Sequence, residues 1–151
     1  MASKVLTGSG MQWYQTVITC PAKARGIHKI TDFIVQKLPF LKKIKVGTMN
    51  IVIQHTSASI SLNECWDSSV RTDMEMMLNR IAPENAPYIH TLEGPDDMPA
   101  HVKCSLMGAS ITVPITEGRL NLGTWQGIWL CEHRDHAGSR NLVVTVQGCE
   151  S

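Results

Sequence analysis

Three histidines stand at positions that favour a metal site. His55 follows the apolar strand pattern "IVI", while His90 and His101 lie on either side of the acidic segment "EGPDD". Imidazole nitrogens are ligands that Zn²⁺ and other divalent transition metals prefer. Three of them, on a strand end, a loop and a helix, would leave coordination positions open for water or substrate. None of the compact histidine motifs is present, and a single histidine is more often structural, so the spacing alone does not decide the matter.

Carboxylates near these histidines are a second indication. Asp96 and Asp97 form a pair just before His101, and Glu64, Asp67 and Asp73 surround the start of a predicted long helix. Paired acids hold Mg²⁺ or orient a histidine that binds a metal. The alternative is that these side chains cap helices or face solvent.

Basic residues close to glycines indicate an anion site. Lys103, Arg119, Arg134 and Arg140 are each near a glycine in the second half of the chain. Glycine lets backbone N–H groups approach an anion, and a guanidinium group matches two phosphate oxygens. No Walker or dinucleotide motif is present, so the pattern does not specify a nucleotide. Exposed basic residues beside turn glycines are the alternative.

A nucleophilic serine is a further alternative. Ser57 and Ser59 follow His55 closely, but the segment lacks a nucleophile elbow. Successive side chains of an extended strand point to opposite faces, which works against a serine–histidine pair formed by neighbours.

The overall composition excludes several classes of protein. The chain has 151 residues, of which 43% are hydrophobic and 18% charged, with a formal net charge of +1. This predicts a single domain over residues 11–151 after a flexible leader at 1–10. Scattered charge argues against nucleic-acid binding, and no apolar run is long enough for a membrane span. Five separated cysteines without a signal peptide predict reduced thiols and a cytoplasmic location.

Strand and helix patterns alternate without a regular βαβ rhythm. Strands are predicted in "QWYQTVITC", "GIHKI", "TMNIVIQHT", "ASISLNE", "ASITVPI", "WQGIWLCEH" and "NLVVTVQG". A long helix is predicted from Asp67 to Ala82, with an apolar face that includes Trp66, Leu78 and Ile81. Short helices are predicted near "DFIVQKL" and from about Pro99 to Met107, where Gly108 ends the second. Thr31 or Asp32 is the predicted cap of the first and Asp97 that of the last. The pattern predicts an α+β fold with mainly antiparallel sheet and one long and one or two short helices.

Five separated blocks together resemble the YjbQ family. They are "QHTSASISLNE", "WDSSVRTDME", "EGPDDMPAHVK", "MGASITVP" and "GRLNLGTWQGIWLCEHRDHAGSR", and the resemblance runs from about Trp13 to Glu150. It implies a β-sandwich-like core and a homotrimer. Its "H-T-[ST]-A", "Y-x-H" and "H-x-K" elements correspond to His55, His90 and His101, which are therefore the predicted metal ligands.

The resemblance also implies an activity. The family is associated with a secondary thiamine-phosphate synthase activity, which joins a pyrimidine methyl diphosphate to a thiazole phosphate and releases pyrophosphate. We therefore expect a small phosphorylated metabolite as substrate and a divalent metal as cofactor, Zn²⁺ first and Mg²⁺ as the alternative with a diphosphate. The predicted catalytic residues are Glu64 and Asp73. The predicted substrate- or phosphate-binding residues are Ser57, Asn63, Lys103, Arg119, Gly123, Trp125, Gln126 and Arg140.

Two other functions are compatible with the sequence. In a metal-dependent hydrolase, Glu64 would act as the general base on a water acidified by the ion. A metabolite sensor would use the same cleft for binding alone. Turnover separates these possibilities, because a sensor converts nothing and a hydrolase needs no second organic substrate.

Overall fold

A computed structural model describes residues 5–150 as two antiparallel sheets with three α-helices. The strands are Gln12–Cys20 (β1), Gly26–Lys29 (β2), Ile44–Ile53 (β3), Ala58–Glu64 (β4), Ser110–Thr116 (β5), Arg119–Leu120 (β6), Gln126–Glu132 (β7) and Arg140–Glu150 (β8). The helices are Thr31–Gln36 (α1), Ser68–Ile81 (α2) and Asp97–Met107 (α3), and a 3₁₀ turn spans Pro39–Lys43. Residues 1–4 of the predicted leader, and Ser151, lie outside the described residues.

The core lies between the two sheets. The larger sheet has the strand order β1-β8-β3-β5-β6, the smaller has β2-β7-β4, and every pairing is antiparallel. Alternate residues such as Ile51 and Val144 point inward from the larger sheet and pack with Ile60 and Leu130 of the smaller one. The predicted α+β fold with a β-sandwich-like core is confirmed. Within residues 5–150, no helix combines the length and apolar character that a membrane crossing requires.

Strand β3 is longer than predicted, because Gly47 lies inside it and does not begin it. A Cβ atom at Gly47 would lie 2.2 Å from the backbone oxygen of Gln147 on the paired strand β8. The register of β3 and β8 also shifts between Ile44 and Val46. Gly47 therefore permits a close approach of two backbones at this irregularity.

Helix α2 agrees with its predicted bounds but not fully with its predicted apolar face. Asp67 caps it by accepting a hydrogen bond from the backbone N–H of Ser69 at 2.9 Å, which was the alternative to a site role for this acid. Leu78 is buried, whereas Trp66 and Ile81 are 79% and 58% exposed. Trp66 precedes the helix and Ile81 is its last residue, so the apolar face is exposed at both ends.

Helix α1 begins without the predicted side-chain cap. Ile30 occupies the cap position, and no side chain bonds to the free N–H groups there. The hydroxyl of Thr31 instead accepts a hydrogen bond from the backbone N–H of Ile128 on β7, at 2.9 Å. Thr31 therefore joins α1 to the smaller sheet.

Helix α3 begins two residues earlier than predicted, at Asp97, and this matters for the site. Asp96 is its cap residue, and Gly108, with φ of 96°, ends it as predicted. Asp97 lies in the first turn of the helix and is not its cap. Its side chain is therefore available to neighbouring groups, and it shares a helix face with His101, one turn along.

Candidate metal centre

Two histidines converge on one carboxylate at the start of α3. Oδ2 of Asp97 lies 2.9 Å from Nε2 of His90 and 3.3 Å from Nε2 of His101. The helix supplies Asp97 and His101, and the long loop before it supplies His90. Among the histidine, cysteine and acidic side chains of residues 5–150, His90, Asp97 and His101 form the group of three whose ligand atoms all lie within 4.8 Å of one another.

The hydrogen bond of His101 to a backbone carbonyl fixes the tautomer of its neutral ring. Nδ1 of His101 lies 2.9 Å from the backbone oxygen of Thr56. A carbonyl oxygen can only accept, so Nδ1 carries the proton and the neutral ring has its lone pair on Nε2. This arrangement, with one nitrogen bonded to a backbone carbonyl and the other free, is typical of histidines that bind metals.

The two oxygens of Asp97 have different surroundings. Oδ1 accepts a hydrogen bond of 2.6 Å from Nη1 of Arg134. Oδ2 is buried and has no hydrogen-bond partner in the described part of the chain. A buried carboxylate oxygen without a partner is unfavourable unless something binds it. A cation is the group that would satisfy it.

The three ligand atoms have the chemistry and spacing that a zinc ion needs. Zinc ligands lie about 2.0–2.2 Å from the ion, so two of them at a tetrahedral angle are about 3.4 Å apart. The measured separations of Asp97 Oδ2 from the two nitrogens, 2.9 and 3.3 Å, are close to this. Two imidazoles and one carboxylate form a ligand set known from catalytic zinc sites, which keep a further position open. The residues therefore fit a divalent transition metal.

His55 lies beside this group but does not belong to it. Its Nδ1 accepts a hydrogen bond of 3.0 Å from the backbone N–H of Ser57, so the proton of the neutral ring is on Nε2. Desolvation in the pocket and the nearby charge of Arg140 both lower the pKa of His55. A neutral ring with Nε2–H is a hydrogen-bond donor, which suits contact with a substrate oxygen better than contact with a cation.

A polar pocket of about 450 Å³ opens beside the group. This volume suits a small molecule. The pocket contains predicted site residues from four segments of the chain together with others that were not predicted. Its lining consists of His55, Thr56, Ser57, His90, Glu93, Asp97, His101, Arg134, His136, Ala137, Gly138 and Arg140.

Arg140, which lines this pocket, belongs to a buried ion pair, and a second buried polar pair lies close to it in the chain. Glu132 accepts hydrogen bonds of 2.7 Å from both Nε and Nη2 of Arg140, and both side chains are almost fully buried. Next to it in the chain, Nε2 of His133 lies 2.7 Å from the hydroxyl of Ser59. Burial, followed by the charge of Lys103, lowers the pKa of His133 to about 3. The ring is therefore neutral near pH 7.

The predicted catalytic acids lie away from the pocket. Glu64 ends β4, seven residues after Ser57, and a strand rises about 3.3 Å per residue, so it is roughly 23 Å from the pocket. Its backbone oxygen accepts a hydrogen bond from the indole N–H of Trp129. Asp73 is exposed on α2. Neither acid lines the pocket, so neither reaches the metal ligands.

Most of the predicted phosphate-binding residues are also elsewhere. Ser57 and Arg140 line the pocket, whereas Lys103 is buried and donates to Oδ1 of Asn79 at 2.6 Å. Burial, followed by the nearby charge of Arg25, lowers the pKa of Lys103. The other predicted residues surround the far ends of β4 and β7 or the short strand β6, and they are Asn63, Arg119, Gly123, Trp125 and Gln126.

Arg119 lines a second cavity, which is larger but has different chemistry. This cavity has a volume of about 490 Å³ and a lining that is mainly apolar, including Leu38, Leu41 and Leu120. No cluster of potential metal ligands from residues 5–150 faces it. The smaller polar pocket is therefore the candidate site.

Three residues in or beside the pocket were not predicted to have the roles that the structure gives them. Asp97 was part of the predicted acid pair but not a predicted ligand, although its spacing of four residues from His101 places both on one helix face. Glu93 brings a carboxylate to the pocket rim, with its side chain 67% exposed. Glu132 gives no signal in the sequence, because its partner Arg140 is on another strand.

The chain is similar to known proteins along most of its length. A family model described as UPF0047 protein YjbQ-like matches residues 16–149. The UPF0047 protein YjbQ of Salmonella typhimurium is 51% identical over 136 residues, which cover 90% of this chain and 99% of that protein. The corresponding protein of Escherichia coli O157:H7 is 48% identical over the same shares. A solved structure of the YjbQ/UPF0047 family from Clostridium acetobutylicum, 30% identical, has a TM-score of 0.77 and covers 87% of this chain and 98% of its own.

Proposed function

The chain belongs to the YjbQ-like UPF0047 family, and we propose that it is a metal-dependent enzyme that acts on a small phosphorylated substrate. The observation that carries the proposal is the convergence of His90, Asp97 and His101 on one point beside a polar pocket. The partnerless Oδ2 of Asp97 supports a cation there. Zn²⁺ suits this set better than Mg²⁺, which prefers oxygen ligands and near-ideal octahedral geometry.

A bound divalent ion would supply Lewis-acid chemistry, which polarises a phosphoryl oxygen or acidifies a water. The residues around it suit an anionic substrate. Arg140 is held in place by Glu132 and lines the pocket, so its guanidinium group is positioned without rearrangement. His55 faces the same pocket as a neutral ring with its proton on Nε2, and it would donate that hydrogen bond to a phosphate oxygen.

The reaction that we expect is the one implied by the family resemblance. In thiamine-phosphate synthesis, a diphosphate leaves the pyrimidine methyl carbon as the thiazole nitrogen forms a bond to it. The chain's contribution would be to hold the departing diphosphate and neutralise its charge, which Arg140 and His55 would do from the pocket wall. Glu64 and Asp73 are not included in this proposal, because neither lines the pocket.

A metal-dependent hydrolase is the second candidate, and one observation favours it. Glu93 places an exposed carboxylate on the rim of the pocket that also contains the three metal ligands. A carboxylate in that position would accept a proton from an attacking water. This role replaces the one expected of Glu64.

We also propose that the chain forms a homotrimer, in line with the family resemblance. Apolar surface that such an assembly would cover is present on β1, where Trp13 and Val17 are 64% and 54% exposed. Light scattering tests this point, and a stable monomer at micromolar concentration would contradict it.

Turnover by zinc-loaded protein tests the proposed function. We expect thiamine phosphate and pyrophosphate from the two thiamine precursors if the transferase reaction operates, and inorganic phosphate from single phosphate esters if hydrolysis does. Asp97→Asn should lose either activity, while Cys104→Ser, which alters a buried thiol outside the ligand group, should retain it. Tight binding of the same compounds without any conversion would contradict the enzyme and identify a sensor.

A further inference from the structure

The side chain of Arg134 is hydrogen-bonded to several groups around the proposed metal centre. Its Nε donates to Oδ2 of Asp96 at 2.9 Å, and its Nη1 donates to Oδ1 of Asp97 at 2.6 Å. Its Nη2 donates to the backbone oxygen of Glu93 at 2.8 Å. All three nitrogens of the guanidinium group are therefore bound to parts of the protein.

These three acceptors belong to the two segments that supply the metal ligands. Glu93 lies three residues after His90 in the loop, while Asp96 and Asp97 begin α3. The backbone N–H of Asp135, the next residue after Arg134, also donates to Oδ2 of Asp96 at 2.9 Å. The turn that follows β7 therefore holds both the loop and the start of the helix.

The bond to Asp97 has a specific consequence for the carboxylate. Because Nη1 of Arg134 binds Oδ1, the carboxylate is held with its other oxygen, Oδ2, toward the two histidine nitrogens. The Asp97 carboxylate is 1% exposed, so water does not hold it in this orientation. A rigid guanidinium fork sets this angle in a way that a single ammonium group cannot.

We propose that Arg134 is a positioning residue of the metal centre, which orients Asp97 and ties the loop that carries His90 to α3. This inference rests on the proposed metal site and adds a residue whose role is to pre-arrange its ligands. Arg134 is accordingly not a substrate anchor, although its sequence position beside other basic residues predicted one. The anionic substrate is left to Arg140 and His55.

Arg134→Lys is the most informative variant, because it keeps the charge and removes the fork. Arg25 provides a matched control, since it also bonds to several side chains, among them Glu75, Glu84 and Asp135, but contacts no metal ligand. Its bond to Asp135 is made to the side chain, whereas the backbone N–H of Asp135 binds Asp96. Zinc affinity is measured for wild type, Arg134→Lys and Arg25→Lys by competition with a chelator, and unfolding of the metal-free proteins is followed in denaturant.

We expect Arg134→Lys to bind zinc about 10- to 100-fold more weakly than wild type, as is typical when a group that orients a metal ligand is lost. Amide hydrogen exchange in residues 86–96 should also become faster in this variant. Arg25→Lys should bind zinc as wild type does, even where both variants lose similar stability. Recovery of tight binding on adding guanidinium ion at low concentration to Arg134→Ala would support positioning by the fork.

Three results would contradict the proposed role of Arg134, and they differ in what they imply for the metal site. Zinc binding by Arg134→Lys that equals wild type would overturn the positioning role and leave the metal site intact. Equal weakening in Arg25→Lys would also overturn it, since general loosening would then account for the loss. Absence of zinc binding by the wild-type protein would overturn the metal site and the role of Arg134 together.

Discussion

Asp97 and His101 lie one turn apart on the same face of α3, with Oδ2 of the carboxylate 3.3 Å from Nε2 of the imidazole. A spacing of four residues on a helix brings two side chains together whatever the rest of the fold does. Only the third ligand, His90, depends on how the long loop returns to the helix. The proposed metal centre is therefore built on one rigid element and completed by one loop.

The thiol nearest to this helix face should be unimportant for metal binding. Cys104 is buried, and its Sγ lies 3.2 Å from the backbone oxygen of Ala58, toward which it donates. We expect Cys104→Ser to retain its metal content, measured by elemental analysis. His101→Ala should lose more than the roughly 10–100-fold in zinc affinity that is typical for a supporting residue. Equal loss in both variants would indicate a thiolate ligand and contradict the set of two histidines and one aspartate.

Stability should fall in acid because of His133. Its pKa in the folded protein is lowered to about 3 from an ordinary value of 6.5. Between these pH values the unfolded chain binds a proton at His133 that the folded protein does not. With respect to His133, the free energy of unfolding is therefore highest above pH 6.5 and decreases as the pH falls toward 3. The decrease is about 1.4 kcal/mol per pH unit at most. Denaturant unfolding at several pH values measures it.

The variant His133→Gln separates this imidazole from the other titrating groups. Glutamine does not titrate and its amide can still reach Ser59, so the dependence on pH between 6.5 and 3 should become shallower. Ser59→Ala keeps the imidazole and should keep most of the dependence. Parallel pH profiles for wild type and His133→Gln would show that His133 is not the cause.

Removing Glu132 from its buried pair with Arg140, which lines the pocket, should be strongly destabilising. Glu132→Ala leaves the guanidinium group of Arg140 buried without its partner, which costs about 3–5 kcal/mol of unfolding free energy. Glu84→Ala removes a partner of Arg25 that is 41% exposed, and it should cost about 1 kcal/mol or less. Chemical denaturation of both variants tests the difference, and similar losses would contradict the special role of burial.

The fold could be predicted largely from local patterns. Alternation identified the main strands, and the start of α2 at Asp67 was predicted, because helix ends depend mainly on neighbouring residues. The errors arise where a distant segment decides the outcome. Gly47 looked like a strand boundary but is needed for close contact with Gln147, and Thr31 looked like a cap but bonds to Ile128 on another strand.

The site was harder to predict for the same reason. His90 and His101 were identified, and both contribute to the group of potential ligands, while His55 lies in the adjacent wall. Family motif positions such as Glu64 and Trp125 turned out to lie at the far end of β4 and β7. A residue's place in a motif does not show at which end of a strand it lies, or whether its side chain is close to the other motif residues.

The close approach at Gly47 predicts a large effect from one methyl group. In Gly47→Ala the new Cβ would lie 2.2 Å from the backbone oxygen of Gln147, so two paired strands must separate. We expect a loss of about 1–3 kcal/mol or more in unfolding free energy. Gly138→Ala is the control, since a Cβ there meets no atom within 4 Å and should change stability little. Comparable denaturation midpoints would contradict this account of the β3–β8 irregularity.

The most direct test of the metal centre is the metal content of protein purified without an affinity tag, loaded with zinc and dialysed. The wild-type chain should retain about one zinc ion, as expected of a single site with three ligands. Asp97→Asn should retain little while its circular dichroism remains that of wild type. Asp73→Asn, which changes an exposed aspartate on α2, should retain as much as wild type. Equal zinc content in Asp97→Asn and wild type, or none in wild type, would contradict a centre formed by His90, Asp97 and His101.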